Sequence, residues 1–451
     1  MDPRIAGISL VSGWVPAGVD AAAIVVLAMV LVAVLIRRPR RRALIVTLLC
    51  GALGVATGLF LCWLLSDQLN LFDVSLSPTS RGWVAAAFGG VGLALGAAVR
   101  PGHRRRVVAV VAMSLALLAG ALGVNADFGQ YTTVGSLTGR AVASPIPSTV
   151  LAAQAAGAPG RDRLASQNAP ASALWDHAAR AGTPSHGLLG TVVIPATVSH
   201  FAARAAYLYL PPAALAVHPL ALPVLIMLAG QPGGPSNMIA AGKLATFVGA
   251  FAAAHHGIAP IIVVPDQLTA PQLNPMCVDS ALGNSATYLT VDVPNWIRTH
   301  LTVQTSAVAW AIGGFSEGGT CSIQLGAAHP ELFGGIFDIS GQVAPKNGTL
   351  QQTIARGFGG STAAYSAALP LTILATRAPY RNTVAVFVSG QLDTKYGAES
   401  DTVFAAAKAA GMRATRQRSP GTAHDWHTVQ WALRTQLGPI YQQLGVERLG
   451  S

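Results

Sequence analysis

The sequence predicts a two-part chain: an N-terminal region of four transmembrane helices, then an α/β domain with a mostly parallel sheet flanked by helices. Three observations predict it. Four uncharged apolar stretches crowd into residues 1–124. From residue 188 onward, short apolar strand signals alternate with helix signals. One pentapeptide, Gly314-Phe315-Ser316-Glu317-Gly318, sits where a strand-like run gives way to a helix-like run.

The four stretches are Ala21–Ile36, Ala43–Leu65, Trp83–Val99 and Val107–Val124. Each is near the 17 to 25 or so residues that cross a bilayer. The first is short unless it begins near Pro16, and the third is short and Gly/Ala-rich. Only 10% of the 451 residues are charged and 52% are hydrophobic, with a mean hydropathy of +0.49, against about 25% charged in ordinary soluble domains. The net charge of +11 does not point to nucleic acid. Residues 1–124 hold 11 Arg against 4 Asp, and nine of those Arg lie in two short loops, Arg37–Arg42 and Arg100–Arg106. Basic residues in short loops mark the cytoplasmic side. The loop between spans two and three, Ser66–Gly82, carries only Arg81 beside Asp67 and Asp73. This pattern predicts a multi-pass membrane protein whose N-terminus and everything after span four lie outside the cytoplasm. One basic residue before the first span, and three further spans after it, fit a cleaved signal peptide poorly.

Residues 125–187 lose periodicity and are rich in Ala, Gly, Pro, Ser and Thr. They read as a linker, with room for a short helix around Ala171–Ala181. The α/β domain then fills residues 188–451. Its strand candidates are Gly190–Pro195, Ala205–Leu210, Val224–Ala229, Pro260–Val264, Ala307–Ile312, Gly335–Ile339, Val384–Ser389 and Arg413–Arg418. Continuous apolar runs of this kind suit strands covered on both faces. The first two are spaced as a hairpin, which predicts an antiparallel start. Helix candidates are Met238–His255, Ala286–His300, Gly319–His329, Ser400–Ala410 and Asp425–Leu444.

A strand, then G-x-S-x-G, then a helix is the nucleophile-elbow layout of serine hydrolases. A serine nucleophile needs a base to take its proton, and the base needs an acid to orient it. In the α/β-hydrolase order the acid follows the serine and the histidine comes last. The strand Val384–Ser389 leads into Gly390-Gln391-Leu392-Asp393, which makes Asp393 the acid; Glu399 and Asp401 read as the start of the next helix. Only His424 and His427 lie downstream of Asp393. His424 sits in a loop at the carboxyl end of a strand, where sites of open α/β sheets lie, whereas His427 falls in a helix. His255 and His256 precede the serine and read as the close of a helix. Two backbone N–H groups must hold the oxyanion. One is that of Glu317; the other is assigned to Gln231, in the glycine-rich turn after Val224–Ala229. Trp310, Trp426 and Trp431 read as packing residues. Cys50 and Cys62 fall in the second span. Cys277 and Cys321 fall in the outer domain, either as a disulfide or as two buried thiols. No Cys/His spacing points to a metal, and nothing calls for a cofactor.

Gly313-Gly-Phe-Ser-Glu-Gly-Gly-Thr-Cys321, Ala328-His-Pro-Glu-Leu-Phe333, Asp338-Ile-Ser-Gly341, Ala203–Pro212 and His424-Asp-Trp426 together resemble the esterase D / antigen 85 branch of the α/β hydrolases, over residues 188–445. That branch includes feruloyl esterases and actinobacterial mycolyltransferases. The four-span N-terminus and Asn274-Pro-Met-Cys-Val-Asp279 resemble its membrane-anchored actinobacterial members, and this resemblance implies a bridge from Cys277 to Cys321. The chain departs from the pattern at Ala229-Gly230, where many hydrolases have His-Gly.

Two enzymatic readings follow. One is a membrane-anchored serine esterase working on carboxylic esters or acyl lipids at the outer face of the bilayer. The other is an acyltransferase of the same chemistry that delivers the chain to a sugar or cell-wall glycan. A non-catalytic sensor or adhesion module on a decayed hydrolase fold is the third reading, and a complete Ser, Asp and His in order argues against it. The loops Gln267–Ser285 and Val343–Ala378, which would shape the pocket, carry no readable code for a substrate.

Overall fold

The computed structural model describes residues 2–36, 40–71, 73–99, 102–137, 143–160, 170–178 and 182–448. The chain forms two compact units. One comprises 1–140 with the short segment Ala423–Trp426; the other comprises 141–422 and 427–451.

The first unit holds four long helices: α1 (Trp14–Ile36), α2 (Arg40–Cys62, continued by a wider turn to Gln68), α3 (Pro78–Ala98) and α4 (His103–Phe128). All four are long and apolar enough to cross a membrane. Each begins earlier than the uncharged stretch that announces it, because Asp20 in α1, and Arg and other polar residues in the first turns of the others, extend the helix without extending the apolar run. Ser77 caps α3 by accepting the Ser80 N–H at 3.0 Å, with Pro78 in the first turn, a favourable start. Residues 37–39 and 100–101 of the two basic loops lie outside the described residues.

Small residues set the spacing of these helices. A methyl group at Gly54 of α2 would lie 2.1 Å from the Phe88 carbonyl oxygen of α3, and one at Gly92 would lie 2.1 Å from that of Cys50. Backbones in such close contact gain dispersion energy that bulkier side chains would deny them. Elsewhere on α1 and α2, Ile24, Val25, Leu48, Leu49 and Leu53 are exposed.

The second unit is built on one eight-stranded sheet: β1 (Leu188–Val192), β2 (Ala206–Leu210), β3 (Val224–Leu228), β4 (Ile261–Val264), β5 (Trp310–Phe315), β6 (Gly335–Ile339), β7 (Val384–Gly390) and β8 (Arg413–Ser419). The order is β1-β2-β4-β3-β5-β6-β7-β8. β1 and β2 pair antiparallel and so do β2 and β4; every later pair is parallel. The antiparallel start and the parallel body match the expectation. β2 through β7 are buried along their whole length, whereas β8, with alternating burial, is the edge. Helices cover the sheet, among them α5 (Leu244–Ala254), α6 (Val293–His300), α7 (Glu317–Ala328), α8 (Thr394–Ala409) and α9 (Trp426–Thr435).

Several boundaries move for physical reasons. Ala307–Ala309 form a 3-10 turn, and β5 begins at Trp310; an apolar run cannot show where pleating starts. The helix expected over Met238–His255 breaks at Lys243, whose φ is +55°. The last helix stops at Thr435 and resumes at Gly438 with Pro439 in its first turn. In the Ala/Gly/Pro-rich stretch no helix forms over 171–178, and residues 179–181 lie outside the described ones. Instead Ser148–Ala156 is helical, and buried Gln154 donates Nε2 to the Ala214 carbonyl at 2.6 Å. The Ile146 N–H also reaches the Thr191 carbonyl of β1 at 3.0 Å. This part of the stretch packs on the sheet rather than standing free. Trp310 is fully buried, donating Nε1 to the Gln304 carbonyl at 2.7 Å beneath the Arg298 guanidinium. It is a packing residue.

Candidate active site

The chain turns from β5 into α7 at Ser316, whose φ of +58° and ψ of −115° place a non-glycine residue in a sparsely populated region. Two glycines make the turn feasible. A methyl group at Gly314 would lie 2.3 Å from the Gly318 carbonyl oxygen, and one at Gly318 would lie 2.5 Å from those of Leu228 and Ala229. The Ser316 N–H is held by the Ile339 carbonyl of β6 at 2.8 Å. Strain stored at one residue and locked by its surroundings is what a presented nucleophile looks like.

The turn after β3 lies against this serine. A methyl group at Gly230 would sit 3.3 Å from Ser316 Cβ, tighter than ordinary van der Waals contact, so residue 230 packs closely on the serine. Gln231 donates Nε2 to the Gln272 carbonyl at 3.1 Å.

Glu317 follows the serine and is buried. Gln267 donates to its Oε2 at 3.0 Å, while Oε1 lies 2.9 Å from Cys321 Sγ. Cys321 is bonded to Cys277, with 5.5 Å between Cα atoms. A disulfide sulfur has no proton to donate in that contact. Burial also pushes Glu317 up from its ordinary 4.5 to about 8, with the Asp266 carboxylate adding to the effect and the Gln267 hydrogen bond opposing it. The two sulfurs and this carboxyl stand close enough to hold an ion, but the bonded sulfurs offer no thiolate to one. Asp338, at the end of β6, is likewise raised by burial to about 7, although Oδ1 accepts the Gly341 N–H at 2.7 Å.

These groups predict a pH dependence. Between pH 4.5 and about 8 the folded protein holds a proton on Glu317 that the unfolded chain has released. Stability therefore falls as pH rises through that window and levels off above it. In urea unfolding followed from pH 5 to 9, Glu317→Gln should be the more stable protein at the alkaline end and should show a shallower decline. Asp338 keeps the slope from vanishing.

Asp393 lies just beyond β7, at the same carboxyl edge of the parallel strands as Ser316. It is buried and caps α8, accepting the Tyr396 N–H at 3.3 Å. Its rivals are committed elsewhere. Glu399 accepts the Val343 N–H at 3.0 Å, and Asp401 binds Arg416 and Arg418 at 2.8 and 2.5 Å. Both lie within α8 rather than at its start, because the helix begins six residues earlier than Ser400. The loop after β8 is zipped onto the Asp393 loop. Gln391 N–H reaches the Ser419 carbonyl, Leu392 N–H the Thr422 carbonyl, and Gly421 N–H the Gln391 side chain, at 2.9, 2.8 and 3.0 Å. His424 comes two residues after Thr422, in the segment that ends β8 and precedes α9. Within that segment the Ala423 N–H is held by Asp425 at 2.7 Å. His427, in α9, is exposed. His255 closes α5, stacked on Phe251 with Nδ1 on its carbonyl.

Three residues at the site went unnoticed in the sequence. Asp266 and Gln267 follow β4 and are fully buried; Arg204 precedes β2. Arg204 grips Asp266 with Nε and Nη2 at 2.8 and 2.7 Å and donates to the Gly233 carbonyl at 3.1 Å. An acid and an amide one proline beyond an all-apolar strand was the available signal.

A doubly flanked, mostly parallel sheet with a serine elbow at the carboxyl edge of a central strand defines an α/β hydrolase. Residues 202–433, half of the chain, match the Esterase family model, and the chain belongs to that family. An uncharacterized protein of Corynebacterium glutamicum is 35% identical over 271 residues, which is 60% of this chain. The chain thus spans about 60% of the length of that relative. Solved structures that resemble this one include an S-formylglutathione hydrolase from Agrobacterium tumefaciens (19% identity, TM-score 0.49, 58% of this chain and 98% of that one). They also include a ferulic acid esterase from Anaeromyces mucronatus (16%, TM-score 0.45, 59% and 94%). A third is MPT51 of Mycobacterium tuberculosis (17%, TM-score 0.43, 57% and 99%).

Proposed function

We propose that the protein is a membrane-anchored serine esterase that hydrolyses carboxylic esters at the extracytoplasmic face. The observation that carries this reading is Ser316, held at a strained φ by two obligatory glycines with the Gly230-Gln231 turn against it. Ser316 Oγ attacks the ester carbonyl while His424 takes its proton, and Asp393 orients the imidazole. The carbonyl oxygen becomes an oxyanion held by the N–H groups of Glu317 and Gln231. Its collapse expels the alcohol, which takes the proton from His424, and leaves an acyl group on Ser316. Water then repeats the cycle and releases the acid.

Incubating the detergent-solubilised full-length protein with acyl p-nitrophenyl esters tests this directly. Free acid and nitrophenol should appear in equal amounts, with and without trehalose or glucose present. Acyl-sugar forming in preference to free acid would move the reading to acyl transfer. The membrane side rests on the two arginine-rich loops. Ser136→Cys, placed after the fourth span, should react with a membrane-impermeant maleimide on intact cells; reaction only after lysis reverses the orientation.

A further inference from the structure

We propose that Gln267 is a positioning residue for acyl transfer, tying together the two backbone segments that supply the oxyanion donors. The proposal rests on the esterase reading above. β4, β3 and β5 are parallel neighbours, so the residues that follow each of them emerge at one edge of the sheet. Gln267 follows β4 and is fully buried between the other two segments. Its Nε2 donates to the Ala229 carbonyl at 2.5 Å and to Glu317 Oε2 at 3.0 Å. Ala229 leads directly into Gly230-Gln231, and Glu317 carries the other donor on its own backbone. Both partners are acceptors, which fixes the amide with nitrogen toward them.

The surroundings hold Gln267 as firmly as it holds the donors. Asp266 accepts the N–H groups of Leu268 and Thr269 at 3.0 and 3.1 Å, which sets the turn that carries the amide. Arg204 links Asp266 to Gly233, at the far end of the oxyanion turn. The disulfide anchors α7 to the loop from Gln267 onward. An apolar side chain would fill this position without the cost of burying an amide. What the amide adds is a fixed separation between the two N–H donors, which must converge on one oxygen that exists only in the transition state. A displacement of about an ångström at such a site costs on the order of a hundredfold in rate.

The test compares wild type, Gln267→Met and Gln267→Glu by steady-state ester hydrolysis, with fluorophosphonate titration counting competent Ser316 sites. Gln267→Met should label at Ser316 yet turn over roughly 10- to 100-fold more slowly per labelled site, with KM little changed. Gln267→Glu can donate only while protonated, so its kcat should fall with rising pH relative to wild type, a dependence that a space-filling role would not produce. A Gln267→Met kcat per site within twofold of wild type overturns the positioning role. Should that variant fail to fold, a Gln267→Glu profile parallel to wild type overturns it instead. Wild type without a Ser316 adduct removes the esterase reading, and this role with it.

Discussion

Ser316→Ala should lower kcat for ester hydrolysis by about 10⁴- to 10⁶-fold, leaving only what binding and the oxyanion donors achieve with water. The change deletes one oxygen and little else. The Ser316 N–H keeps its bond to Ile339, and alanine meets the same conformational penalty at φ +58°. The thermal midpoint should therefore stay within a few degrees of wild type, separating lost chemistry from lost fold. An activity loss of less than tenfold in the folded variant would mean that another group attacks the ester.

His424→Ala should cost about as much as Ser316→Ala, and the double variant no more than either, because residues that act as one unit do not add. Asp393 requires a different substitution. Its side chain caps α8, so Asp393→Ala should lose about 0.5 to 2 kcal/mol of stability besides activity. Asp393→Asn keeps the cap, since Asn and Asp serve equally there, but cannot hold the imidazole in the required tautomer. A loss on the order of 10⁴-fold with near-native stability is expected. Equal activity in Asp393→Asn and wild type would reduce Asp393 to a helix cap. Matched measurements on His427→Ala, an exposed residue, should show wild-type rates.

The parts of this fold that were legible in the sequence depend on short-range patterns. β7 opens with an unbroken apolar run and β6 is apolar except for Asp338, and both stand where those runs predict. The elbow was legible because a tight turn, a close approach and a nucleophile all demand particular residues within five positions. α8 was misplaced by six residues because its first turn, Thr394–Gly397, carries no apolar stripe; its start is set by the Asp393 cap. Similarly α7 begins at Glu317 although Gly318 and Gly319 are poor helix formers; the Leu228 and Ala229 carbonyls leave no room for a larger residue at 318, and Asp338 with the Ile339 and Gly341 backbone leaves none at 319. The Gln267 contacts were illegible for a different reason. They join residues 38 and 50 positions apart, and a single buried amide has no periodicity. Glu317 reads as an ordinary charged residue in the motif, and it is its burial, with Asp266 nearby, that pushes its carboxyl up to about 8.

The central claim is that Ser316 is an activated nucleophile. The most direct measurement treats the solubilised full-length protein with a fluorophosphonate and maps the adduct by peptide mass spectrometry. A single adduct is expected on the peptide containing Ser316, absent in Ser316→Ala and strongly slowed in His424→Ala. A folded wild-type protein that takes up no label, or one whose label persists in Ser316→Ala, contradicts it.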